Sequence, residues 1–269
     1  GIVRFDDGLL LKCSQYDIQF KYADHLHYGS FGDLVTRAVH TTTKRNIAVK
    51  IIQKMETARA IQHENIVRLH GFVIEEMTCY MVMERMEASL CEAMNIIHSN
   101  HILKHEISEI ENFLGSMTVD VVLAPKQILI GNDGKVKVAV SAAFPNGGVP
   151  PIRYSSPEHV ESNHVNDYSK TGVWGLGIIL IEAASGKYPY SGSIDFVVAD
   201  QIVDPNQQPH LGGKFSLEMS DFVDACLLHS VQARKTKFYR EHMQRVDRFE
   251  SVKALLHRVQ HYLEELRRE

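Results

Sequence analysis

The sequence predicts an α+β protein in two lobes, the first built on an antiparallel sheet and the second made mostly of helices. Three observations predict it. From Tyr16 to Met86 the chain alternates β-rich runs with turn residues. From Leu90 onward helical periodicity dominates. With 269 residues, 44% of them hydrophobic, the chain is long enough to bury a full core.

The predicted strands are IQFKYADHL, GSFGDLVTRAVH, NIAVKII, NIVRLHGFVIEE and TCYMVMERM, five in all. Within the second half, QILIGNDGKVKVAV reads as a hairpin, because Asn132, Asp133 and Gly134 tolerate the positive φ of a tight turn. VWGLGIILIEAASG is apolar nearly all round and predicts a buried helix. The tail from Phe238 to Leu266 repeats apolar residues at spacings of three and four, which predicts a C-terminal helix packed on its own lobe. The expected organisation is an extension over 1–15, a β-rich lobe over 16–86 and a helical lobe with its tail over 87–269.

Composition excludes several function classes. A net charge of -4 gives no basic footprint for nucleic acid or an anionic membrane surface. The longest apolar run, Val173 to Ile181, is too short to span a bilayer. Four widely spaced cysteines without a CxxC pair are expected as reduced thiols in a cytoplasmic, intracellular protein. His98, His101 and His105 share a helix face, but with 15 histidines in the chain their spacing is ascribed to chance.

Seven landmarks fall in a fixed order: GSFGDLV, IAVK, HENIVRLHGF, YMVMERM, PKQILIGNDGKVKV, RYSSPEHV and YSKTGVWGLGIILIEAASGKYPY. In this order the chain resembles the protein kinases, and within them the mitogen-activated protein kinase kinases. The resemblance covers most of the chain and implies a bilobal kinase-like fold with an ATP site. It carries the phosphate-covering loop onto Gly29 and Gly32, with His27 where a first glycine is usual, and the phosphate lysine onto Lys50. Val35, Ala48, Met83, Glu84, Met86 and Leu129 then fall at the nucleotide's surroundings, the small Ala48 leaving room for an adenine.

Phosphoryl transfer also needs an aspartate to orient the substrate hydroxyl and oxygen ligands for Mg²⁺. In the register of PKQILI, Asp120, Val121 and Val122 fall on the family's HRD, so the orienting aspartate is Val122. The metal positions fall on Gln127 and Val140, and a valine offers no oxygen. Only residues 51–62 separate Lys50 from His63, too few for a full helix carrying the lysine's glutamate partner. Glu158 of the SPE triplet matches a family glutamate that pairs with an arginine, here Arg234, and Gly172 stands where an aspartate usually anchors the catalytic loop.

The expectation is a pseudokinase with no catalytic residue, no Mg²⁺, and at most weak, metal-independent ATP binding. It would act as a scaffold or allosteric regulator of protein kinases or MAP kinases, with no nucleic-acid or membrane partner. The enzyme alternative is an atypical dual-specificity kinase recruiting Asp120 or Gln127. The short spans near Lys50 and before Pro125 read as internal deletions, and a product without a stable role is the third class.

Overall fold

The computed structural model describes residues 1–28, 34–52, 66–75, 78–99, 124–131, 135–139, 152–161, 170–213, 215 and 217–234. Two compact units form, one from Gly1–Leu90 with Lys126–Gly148, the other from Cys91–Pro125 with Val149–Glu269. The hairpin at 128–138, which lies in the expected second lobe by sequence order, thus belongs to the first unit.

The first unit contains β1 (Ile2–Arg4), β2 (Leu10–Lys12), β3 (Ile18–Tyr28), β4 (Leu34–His40), β5 (Asn46–Ile52), β6 (Leu69–Glu75), β7 (Thr78–Glu84), β8 (Ala88–Ser89), β9 (Ile128–Ile130) and β10 (Val136–Val138). β3 to β7 are the five expected strands, and β5 coincides with NIAVKII. Residues 1–15, expected as an extension ahead of the sheet, instead contribute two of its strands. The large sheet is seven-stranded and antiparallel, in the order β2-β1-β6-β7-β5-β4-β3.

β2 and β3 are the opposite edges of that sheet, yet Lys12 and Ile18 are joined by residues 13–17 alone. So short a link cannot cross a flat seven-stranded sheet, whose strands lie about 4.8 Å apart, so the sheet curls and its edges are drawn toward each other. The enclosed face holds Val3, Phe5, Cys13, Ile18, Ala38, Ile47, Val49, Val73 and Val82, drawn from nearly every strand. Polar ties hold the seam. The Gln15 N–H donates to Glu75 at 2.8 Å, the Tyr80 hydroxyl to Gln15 at 3.2 Å, and Arg45 pairs with Asp7 while lying over the Phe5 ring.

β1 reaches β6 at Gly71, where the β6–β7 register shifts. Gly71 has φ +156, and a Cβ there would stand 2.3 Å from the Ile2 carbonyl oxygen, so only glycine admits β1 this closely. The smaller sheet, β10-β9-β8, includes the expected hairpin, with Val136, Lys137 and Val138 opposite Ile130, Leu129 and Ile128. The turn residues 132–134 lie outside the described residues, as do the tail over 238–266 and the histidine cluster's His101 and His105.

The second unit contains α1 (Leu90–Ser99, whose first residue the first unit keeps), α2 (Pro157–Glu161), α3 (Thr171–Ser185), α4 (Asp195–Val203) and α5 (Leu217–Cys226). α3 is the expected apolar helix. Trp174, Ile178, Ile179 and Leu180 are fully buried, and α3 packs on α5. Gly186 closes it in the left-handed conformation, its N–H donating to Glu182. Among the described residues no helix is long and apolar enough to cross a membrane.

The expected Glu158–Arg234 pair is formed. Arg234, 1% exposed, donates from Nη1 and Nη2 to the two Glu158 carboxylate oxygens at 2.6 and 2.7 Å and from Nε to the Leu228 carbonyl at 2.6 Å. Its guanidinium lies 5.1 Å from the Trp174 ring centre, in the first turn of α3. Burial pushes the Glu158 carboxyl up, but the hydrogen bonds and charge of Arg234, together with Ser156 and the Glu158 backbone N–H, outweigh it and hold the carboxyl below its ordinary value of 4.5.

Two outcomes follow from this packing. Gly71→Ala should cost about 2 kcal/mol by forcing β1 off β6, read as a lower denaturation midpoint, whereas Gly212→Ala, whose Cβ meets nothing within 4 Å, should change little. Arg234→Leu should cost about 3 to 5 kcal/mol by leaving a half-buried carboxylate unpaired. Because Glu158 titrates lower folded than unfolded, the pair's contribution is complete above pH 4.5 and is lost as pH falls through the folded value. An acid melting series should show that loss in the parent chain and not in Arg234→Leu.

Candidate functional site

Directly opposed residues of an antiparallel ladder share a face. Val35 lies opposite Lys50 and Lys50 opposite Met81, while Arg37 lies opposite Ala48 and Ala48 opposite Met83. The two rows run across β4, β5 and β7 on the face turned away from the enclosed core, since Ile47 and Val49 between them belong to that core. Four of the sequence-predicted nucleotide positions, Val35, Lys50, Ala48 and Met83, therefore meet on one surface. Ala48 is 5% exposed and Lys50 6%, so both sit in covered ground.

The chain leaves β7 through residues 85–87 and enters β8, and this link is held by charge. Glu84 accepts from Lys137 Nζ at 2.7 and 2.8 Å and from the Arg68 N–H at 2.6 Å, while its own N–H donates to the Arg68 carbonyl. The Glu87 N–H donates to Ile130, and Arg85 pairs with the Glu87 carboxylate at 3.2 Å. Met86 is buried, and its N–H and C=O make no hydrogen bond to any described residue, which leaves a donor and an acceptor of the kind a purine edge requires. Leu129 lies opposite Lys137, so the face of the small sheet that carries Leu129 is the one from which Lys137 reaches Glu84.

Sequence reasoning missed Arg37. A charged strand residue ordinarily faces water. Here it is 4% exposed, on the same face as Ala48, and its Nη2 donates to the Glu87 carbonyl at 3.0 Å. The available signal was its spacing of two from Val35, which puts both on one face.

The residues read onto the metal positions come from the two ends of the small hairpin. Gln127, 6% exposed, closes the short turn Pro125–Gln127, and its carbonyl accepts from the Ala139 N–H at 2.8 Å. Gln127 and residue 139, the neighbour of Val140, are thus joined directly. Val140, Val122, Asp120, Gly29 and Gly32 lie outside the described residues. A Mg²⁺ site needs several hard oxygens. Of the two positions, Gln127 offers one amide oxygen and valine none, so the residues do not fit the ion. Tyr154, Ser155 and Ser156, hydroxyls in the region of the family's activating sites, are held inward. The Tyr154 hydroxyl donates to Glu182 at 2.8 Å, and the two serines are 2% and 0% exposed. Burial and the Glu182 carboxylate push the Tyr154 phenol well above its ordinary range.

Residues 20–246 match the protein kinase domain. The chain belongs to the protein kinase family. It is similar to mitogen-activated protein kinase kinase 2 of Arabidopsis thaliana, 30% identical over 42% of this chain and 35% of the relative. It is also similar to mitogen-activated protein kinase kinase 1 of the same plant, 25% identical over 77% of this chain and 68% of the relative. The dual specificity mitogen-activated protein kinase kinase hemipterous of Drosophila melanogaster is 25% identical over 80% of this chain and 21% of the relative. The chain thus spans between about a fifth and two thirds of the length of these relatives.

In this kinase domain the link over 84–87 depends on a partly buried ion pair. Lys137→Met should leave the Glu84 carboxylate with the Arg68 N–H as its remaining charge-stabilising contact and cost about 1 to 3 kcal/mol. Chemical denaturation checks this, with the surface pair Arg68–Asp6 as the control expected to matter by less than about 1 kcal/mol.

Proposed function

We propose that this kinase domain is a regulatory pseudokinase of the mitogen-activated protein kinase kinase type, a binding module that scaffolds or allosterically biases a protein kinase or MAP kinase. One observation carries the reading: aligned with the family pattern, the sequences around PKQILI and VKVAVSA carry valine at both positions where phosphoryl transfer requires a carboxylate, Val122 and Val140. Stabilisation of this transition state is largely electrostatic, and a single lost interaction of this kind typically costs about 3 to 4 kcal/mol of barrier lowering. The loss of both accounts for weak or absent transfer. Gly172 in α3, where the catalytic loop's anchoring aspartate is usual, fits a chain that no longer holds that loop for chemistry.

The nucleotide ground is better kept than the metal. Lys50 would supply charge for phosphates, and Val35, Ala48, Met83, Met86 and Leu129 the apolar surroundings of an adenine. The expected outcome is weak ATP binding indifferent to Mg²⁺. The partner is read from the relatives, kinases whose names place them one step above a MAP kinase. A cytoplasmic location is in keeping with the free thiols of Cys13, Cys79, Cys91 and Cys226.

The enzyme alternative, an atypical dual-specificity kinase, is favoured by one observation, the retention of Lys50 on the same face as Ala48. A thermal-shift titration with ATP separates the two. At ten times the dissociation constant a ligand adds about 1.4 kcal/mol, a rise of about 4 °C for a domain of this size. The pseudokinase reading expects the rise to be the same with and without Mg²⁺ and to be lost in Lys50→Met. A Mg²⁺-dependent rise, together with phosphate transfer abolished by Lys50→Met, would overturn it.

A further inference from the structure

Arg37 is the one long cationic side chain, besides Lys50, that the two rows of the nucleotide face bury among the described residues. Its row runs Arg37, Ala48, Met83 across three neighbouring strands. β4 and β7 are two strand spacings apart, about 10 Å, and the Glu87 carbonyl that Nη2 reaches lies three residues past the end of β7. To make that bond the side chain must leave β4 and run along the sheet beside Ala48, whose own methyl is too small to bar the way. Its flat, donor-rich head then comes to rest next to Met86. A purine lying over Ala48 with its edge toward Met86 would use the same ground, with the same shape and the same donor chemistry toward a carbonyl.

We propose that Arg37 is a built-in competitor for adenine, a guanidinium that fills the space over Ala48 and the link over 85–87 in place of a nucleotide base. This rests on the reading above that the Ala48–Lys50 face is the nucleotide site, and it gives a physical origin for weak binding that is independent of the missing metal ligands. The base must break a charge-assisted hydrogen bond and move a buried arginine before it can settle. Because the competition is for the base, the effect extends to adenosine, which has no phosphate for Lys50.

The test is calorimetric titration of adenosine and ADP, without Mg²⁺, into the parent chain and Arg37→Met, which keeps the apolar stem and removes the donors. Arg37→Met should bind both ligands about tenfold tighter or more. Circular dichroism below the melting temperature verifies that the variant is folded. If it is not, Arg37→Gln, shorter and neutral but still a donor, takes its place with an expected gain of about threefold or more. Unchanged affinity in a folded variant would overturn the proposal, and weaker affinity would make Arg37 a nucleotide-holding residue instead. The pseudokinase reading stands or falls separately, on Mg²⁺-dependent phosphate transfer by the parent chain.

Discussion

A link of five residues, 13–17, sets the terms for the first unit. It joins the two edges of a seven-stranded sheet, and a sheet so tied has to curl. The curl divides the strands into residues that point into an apolar core on the inner face and residues that point away from it. Ile47, Val49 and Val82 take the first course, and Ala48, Lys50 and Arg37 the second. The face that carries Ala48, Lys50 and Arg37 therefore inherits its spacing from a core on the other side of the same strands.

The polar groups of this unit away from water are held by specific partners. Glu84 is fixed by Lys137 and the Arg68 backbone, and Arg37 is fixed by the Glu87 carbonyl. The Arg37 contact joins the large sheet to the segment leading into the small one, and the Lys137 contact joins the small sheet back to the large. In the second unit Arg234 plays the corresponding role, tying α2 to the segment after α5 beneath Trp174. The kinase fold is thus held in each unit by buried, charge-assisted contacts between segments distant in the chain.

Much of this was legible in the sequence wherever a pattern had room to repeat. NIAVKII spans seven residues, enough for period-two alternation to separate Ala48 and Lys50 from Ile47 and Val49, and the strand has those bounds. α3 was legible because an apolar run with no polar stripe has few alternatives to burial. Glu158 and Arg234 were paired by family likeness, which reaches across 76 residues as local pattern cannot. The missed features are short or contrary to type. β1 and β2 have three residues each, too few for a period, and their place at the sheet edge depends on partners distant in the chain. Arg37 was missed because its charge argues for solvent, and only the length of its side chain lets it find a buried carbonyl.

The curled sheet also separates two meanings of a domain boundary. The match to the kinase domain begins at residue 20, within β3, whereas residues 1–19 belong to the same compact unit as the strands that follow. A fragment cut where the likeness starts would lose β1, β2 and the link after them, strip Val3, Phe5, Cys13 and Ile18 from the core, and leave β6 as a new bare edge beside an uncovered apolar surface. Such edges recruit strands from other chains. The stretch ahead of the family match thus covers both an apolar face and a strand edge of the part that follows.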